Sequence, residues 1–149
     1  MKNILNLGLI ATAVLSFSAM ATEPKVTSGE LKLGALVPIV AVNDIDNSSV
    51  SAEIEAIDDR GGFVKNDFAI TVSANVGISA LDDNTRFGVV AGSNRGRAVF
   101  TGTSEGGSVS QCGGLADTSK KGENAETGAT LVANALNLDL ANGCNPART

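Results

Sequence analysis

The chain has 149 residues, with 11 lysines and arginines against 16 acidic side chains, a net charge of −5, and no histidine, tryptophan or tyrosine. An acidic chain repels phosphate backbones, and no cluster of lysine and arginine offsets that, so nucleic acid is excluded as a partner class. Without histidine a Ser-His-Asp triad cannot form.

The N-terminus reads as a secretory leader over residues 1–21. Lys2 supplies the positive end, an apolar stretch runs from Ile4 to Phe17, and Ala19-Met20-Ala21 matches the small-x-small cleavage pattern. The apolar stretch falls short of the roughly 20 residues a bilayer span needs. Cleavage after Ala21 leaves a mature chain starting at Thr22, with no later segment apolar enough to cross a membrane as a helix. Lys2 is the only charged residue lost, which takes the net charge to −6. Residues 22–149 read as a single β-rich domain with an N-terminal extension over 22–37.

In GELKLGALVPIVAV, Leu31, Leu33, Ala35, Val37 and Ile39 alternate with Lys32, Gly34, Leu36, Pro38 and Val40. That is a strand, or two strands broken at Pro38, since proline cannot donate to a central ladder. NDIDNSS is a turn cluster. SVSAEIEAI alternates inward Val50, Ala52, Ile54 and Ala56 with Ser51, Glu53 and Glu55. DDRGG reads as a hairpin-type loop, and FVKNDFAITVSANVGIS pairs back.

Within the last segment, FAITVSANVGIS places an apolar residue at every second position from Phe68 to Ile78. Read as one strand at about 3.4 Å per residue it spans roughly 40 Å, about twice the usual length, with Gly77 as the place for a bend. RFGVVAG and RAVFTGT flank SNRG as another hairpin. ETGATLVANALNLDLANG supports a short helix near Ala129–Leu136 followed by a short strand. Five to seven antiparallel strands separated by turns give an all-β fold, an antiparallel β-sandwich that is Ig-like or an open barrel, with that short C-terminal helix.

Two cysteines in an exported chain, Cys112 and Cys144, point to a disulfide. A metal or redox pair does not fit, because they lie far apart and no histidine joins them.

Three patterns resemble catalytic or metal sites. GTSEG, Gly102–Gly106, matches the nucleophile elbow G-x-S-x-G but lacks a base for Ser104, so it reads as a glycine-rich turn. Asp44, Asp46, Ser48 and Glu55 fall at positions 1, 3, 5 and 12 of a calcium loop, yet Ser49 stands where position 6 needs glycine and the flanks are strands. Asp58-Asp59 and Asp82-Asp83 sit in turns, without the aromatic platforms of a sugar-cleaving site. No catalytic, metal or cofactor residue is assigned, and the chain is read as a non-enzyme.

GELKLGALVPIV is similar to the opening strand of fimbrial subunits of the chaperone–usher kind, and ITVSANV, Ile70–Val76, is similar to strand motifs of some of those pilins. The resemblance covers about a fifth of the chain. The family's cysteine pair lies earlier, and its C-terminal strand carries an aromatic where this chain ends NPART. The resemblance implies a structural subunit of a surface filament or pilus, located at the cell surface or in the periplasm and assembling by β-strand addition. Its partners would be copies of itself or related surface subunits, together with a periplasmic chaperone, and Leu31, Leu33, Ala35, Val37 and Ile39 would form the donated strand. The competing reading is a small periplasmic or secreted binding module, calcium-assisted through its acidic turns.

Overall fold

The computed structural model describes residues 25–117, 127–132 and 135–145. The leader at 1–21 lies outside the described residues. Among the described residues eight strands form two sheets: β1 (Lys25–Glu30), β2 (Leu36–Val40), β3 (Val50–Glu55), β4 (Phe68–Val72), β5 (Val76–Asp82), β6 (Phe87–Ser93), β7 (Val99–Thr103) and β8 (Ser110–Cys112). A three-stranded sheet has the order β1-β3-β4, and a five-stranded sheet has the order β2-β5-β6-β7-β8. The fold is an all-β sandwich. Among the described residues no helix is long and apolar enough to cross a membrane.

The expected hairpins form. β3 pairs antiparallel with β4, from Val50 opposite Val72 to Ile54 opposite Phe68. β6 pairs antiparallel with β7 around the SNRG turn. The link from β3 to β4 is longer than a hairpin turn, with one 3-10 turn at Asp58–Arg60.

FAITVSANVGIS is two strands, not one. β4 ends at Val72 in the three-stranded sheet, and β5 starts at Val76 in the five-stranded sheet. Between them Asn75 adopts φ 63°, a left-handed conformation that asparagine tolerates better than most residues. The bend lies at Ser73–Asn75, ahead of Gly77. Apolar alternation continued across a sheet-to-sheet crossover because both strands contribute to the core that the crossover encloses.

That core is aliphatic. Leu31, Ile39, Val40, Val50, Ala52, Ile54, Val72, Ile78 and Ala80 are buried between the sheets. A second cluster lies on the opposite face of the five-stranded sheet, where Val90, Val99 and Cys112 pack under Leu131, Val132, Ala135, Leu136 and Leu138. The C-terminal segment is therefore a third layer. It approaches the sheet so closely that a β-carbon on Gly92 would run into the Gly128 carbonyl.

The helix expected at Ala129–Leu136 does not appear as such. Residues 128–131 form a turn, 133–134 lie outside the described residues, and Leu136 makes an isolated antiparallel bridge to Cys144. The strand expected after it is instead a turn followed by a 3-10 turn at Ala141–Gly143. Apolar packing of Leu131, Val132, Leu136 and Leu138, the close glycine approach and the disulfide hold this layer without a periodic helix. Cys112 and Cys144 are bonded, with Cα atoms 5.2 Å apart, tying the end of β8 to the C-terminal layer.

Candidate functional site

Two regions could serve a partner: the N-terminal strand, and an uncovered apolar face on the five-stranded sheet.

Leu31, Leu33, Ala35, Val37 and Ile39 do not lie along one strand. β1 ends at Glu30, and Lys32–Ala35 form a tight turn in which Gly34 adopts φ 68° and its N–H donates to the Asp82 carbonyl at 2.7 Å. Leu31 and Ile39 are buried in the chain's own core, Val37 packs against that core, Ala35 is half-buried, and Leu33 is exposed. Val37 and Ile39 belong to β2, which pairs antiparallel with β5. Removing Leu31 and Ile39 would open the core at a cost of several kcal/mol by the usual figures for truncated buried aliphatics, about 2–5 each.

The element upstream of that turn is different. β1, KVTSGE, pairs in parallel with β3, from Lys25 opposite Val50 to Glu30 opposite Glu55, whereas every other pair of named strands is antiparallel. It buries little apolar surface: Val26 is 67% exposed, only Gly29 is buried, and the enclosed Thr27 hydroxyl has no hydrogen-bond partner among the described residues. Lys25 Nζ donates to the Asp44 carbonyl at 2.8 Å and lies 3.4 Å from its carboxylate. Exposed pairs of this kind contribute about 1 kcal/mol or less.

The second region exists because three strands cannot cover five. Phe87, Val89 and Ala91 of β6 face the inter-sheet core. Beyond them the same face continues over Phe100, Gly102 and Val109 as an open cleft of about 410 Å³. Phe100 is 46% exposed and Val109 is 74% exposed. None of the four phenylalanines among the described residues is fully buried: Phe63 and Phe68 are 43% and 38% exposed, and Phe87 is half-buried. Sequence reading missed this surface. Its signal is the aromatic content itself: four large apolar side chains, yet a core that fills with leucine, isoleucine, valine and alanine.

The acidic pairs have structural work. Asp82 is fully buried and accepts three backbone N–H groups, from Phe63 (2.7 Å), Val64 (2.9 Å) and Asn84 (2.8 Å). It thereby pins the β3–β4 loop to the end of β5. A β-carbon on Gly62 would lie 2.6 Å from its Oδ2, so the glycine makes room for that contact. Asp83 accepts the Thr85 hydroxyl and N–H and the Arg86 N–H and guanidinium. Arg86 also donates to the Leu138 carbonyl at 2.6 Å and to Asp139 at 3.0 Å, which fastens the C-terminal layer.

Desolvation pushes the Asp83 carboxyl up, but the hydrogen bonds from Thr85 and Arg86 together outweigh it and lower its pKa from 3.8 to about 2. A carboxyl depressed in the fold contributes stability that is complete above the unfolded value and is lost as pH falls through the folded one. The stability difference between the wild type and Asp83→Asn is expected to stay constant above 3.8 and to shrink toward pH 2. Urea unfolding across that range checks this, and a difference unchanged at the acid end would contradict it.

Ser104 accepts the Phe87 N–H at 2.9 Å and its own N–H donates to the Phe87 carbonyl, so it extends the β6–β7 ladder. Asp44 faces Lys25, Glu55 is on β3, and the described residues contain no group of three acidic or cysteine side chains placed to hold a metal. Asp58 and Asp59 are in the 3-10 turn after β3, where Asp59 adopts φ 55°.

Comparison with family models, with curated proteins and with solved structures returns no match.

Proposed function

We propose that this chain is an exported structural subunit of a surface filament or pilus that assembles by β-strand addition, and that β1 is the added strand. The observation that carries the reading is the parallel, edge-lying and mostly polar β1. It can leave its own β3 and be replaced by β1 of a neighbour with the same hydrogen bonds, at little loss of buried apolar surface. The hinge falls at the Glu30–Leu31 junction, since Leu31 stays in its own core. An exchange in which each subunit passes β1 to the next is head-to-tail, and a rotation that does not close propagates as a filament.

The donor is thus shorter than the segment 22–37 and lies ahead of Leu31, because the residues from Leu31 onward are needed for the core. The exported location rests on the leader pattern, and the subunit role on the resemblance together with β1.

Deleting Thr22–Glu30 is expected to abolish polymers while leaving a folded, disulfide-bonded domain. Electron microscopy and size-exclusion chromatography of the deleted and intact mature chains check this. Polymers that persist after the deletion would sink strand donation by β1. An intact chain that is monomeric at every concentration would favour the small binding module instead.

A further inference from the structure

We infer that Lys25 and Asp44 choose the partner in β1 exchange: Lys25 of the incoming strand docks on Asp44 of the receiving subunit, and the pair selects a second copy of this chain. The inference rests on strand addition by β1 and names what the receiving groove recognises.

In an added strand the backbone ladder supplies affinity, and side chains at alternate positions supply specificity. β1 offers few of them. Lys25, Thr27 and Gly29 take the covered positions, while Val26, Ser28 and Glu30 are exposed. The Thr27 hydroxyl has no hydrogen-bond partner among the described residues, and Gly29 has no side chain. Among the described residues, Lys25 is the one β1 side chain that makes a hydrogen bond or ion pair. Its Nζ reaches both the carbonyl and the carboxylate of Asp44, at 2.8 Å and 3.4 Å.

The other end of the strand works against docking. Glu30 stands opposite Glu55 in the parallel register. Like charges placed opposite one another across a ladder destabilise it. β1 is therefore held by side-chain charge at its first residue and repelled at its last, next to the hinge.

Shape fixes the register that brings Lys25 to Asp44. A β-carbon on Gly29 would lie 2.6 Å from Ile39 Cδ1 and 3.0 Å from the Pro38 carbonyl oxygen. Sliding the strand by two residues would drive Thr27 or Leu31 into that space, and sliding it by one would turn the exposed positions inward. Asp44 lies outside the ladder, in the 3-10 turn Val42–Asp44, so exchange leaves it on the receiving subunit.

The Lys25–Asp44 pair forms within one chain in a closed monomer and between chains in the polymer. A single charge reversal weakens both alike and hardly moves the tendency to polymerise. What it moves is the choice of neighbour.

The test mixes mature chains and counts neighbours. Wild type and Lys25→Glu/Asp44→Lys each match themselves and mismatch one another. Lys25→Glu and Asp44→Lys, as separate single variants, mismatch themselves and match one another. One chain of each mixture carries an isotope label, the polymers are cross-linked, and mass spectrometry counts like and unlike junctions. At low salt the expected result is about a fivefold excess of like junctions in the first mixture and of unlike junctions in the second. Both excesses should shrink as salt rises, because the pair is partly exposed. Circular dichroism verifies the fold of each variant, and if the double variant fails to fold, the mixture of single variants decides. Wild-type chains that form no polymer overturn strand addition and this inference with it. Polymers whose junctions form at random overturn selection by Lys25 and Asp44 and leave strand addition standing, as does an excess that salt leaves unchanged.

Discussion

Replacing Asp82 by alanine is expected to destabilise the domain by about 3 kcal/mol, because it removes the acceptor of the Phe63, Val64 and Asn84 N–H groups. Each buried unpaired donor costs about 1–3 kcal/mol, and the Phe63–Val64 segment offsets part of the loss by turning toward water. For a domain of this size the melting temperature should fall by roughly 10 °C. Asp82→Asn should be milder. Its remaining oxygen still accepts from Phe63 and Asn84, but its amide group confronts the Val64 N–H. Hydrogen exchange adds a local readout: the amides of Phe63, Val64 and Asn84 should lose protection together. If thermal melts of the alanine variant match the wild type, Asp82 is not the anchor of the β3–β4 loop.

Removing the disulfide with Cys112→Ala/Cys144→Ala is expected to cost about 3–4 kcal/mol, from a closed loop whose ends are 32 residues apart. Alanine avoids placing a hydroxyl at position 112, which is buried. The effect should be uneven. The C-terminal layer touches the sheet through Leu131, Val132, Leu136 and Leu138, and its further anchors among the described residues include Arg86 and the backbone bonds at Gly128 and Ala129. Limited proteolysis should therefore cut within residues 113–145 before the sandwich itself unfolds. If urea unfolding of the double variant overlays the wild type, the bond does not hold this layer.

The hairpins β3–β4 and β6–β7 were legible because one face of each strand is apolar and the turns between them are rich in glycine, asparagine and aspartate. The cysteine pair was legible from its number and the leader-like N-terminal pattern alone. The crossover at Ser73–Asn75 was not. Ala74 keeps the alternation going, and the only local cue is a small polar triplet that also suits the wet face of a strand. β5 shows why periodicity faltered there. It is covered on both faces, so Gly77 and Ser79 are buried alongside Ile78 and Ala80, and small residues stand where a solvent-facing strand would carry charge.

The roles of the acidic pairs were equally hidden. Asp82 and Asp83 are adjacent and both lie at the start of a turn, yet one points into the protein onto the amides of a loop about 20 residues earlier, and the other stays at the surface with Arg86. Strand alternation sends neighbours to opposite faces, but which face is buried depends on what packs there.

By itself the sequence determined the β class, the hairpin pairings and the cysteine bond, because these follow from local alternation, turn chemistry and a count of two. Only the tertiary structure decided that FAITV and VGISALD belong to different sheets, that Leu31 and Ile39 serve the chain's own core, and that the phenylalanines stay outside it. Those outcomes depend on how three strands, five strands and an irregular C-terminal layer share a limited buried volume. Contacts between segments far apart in the chain set that division, and no local pattern encodes it.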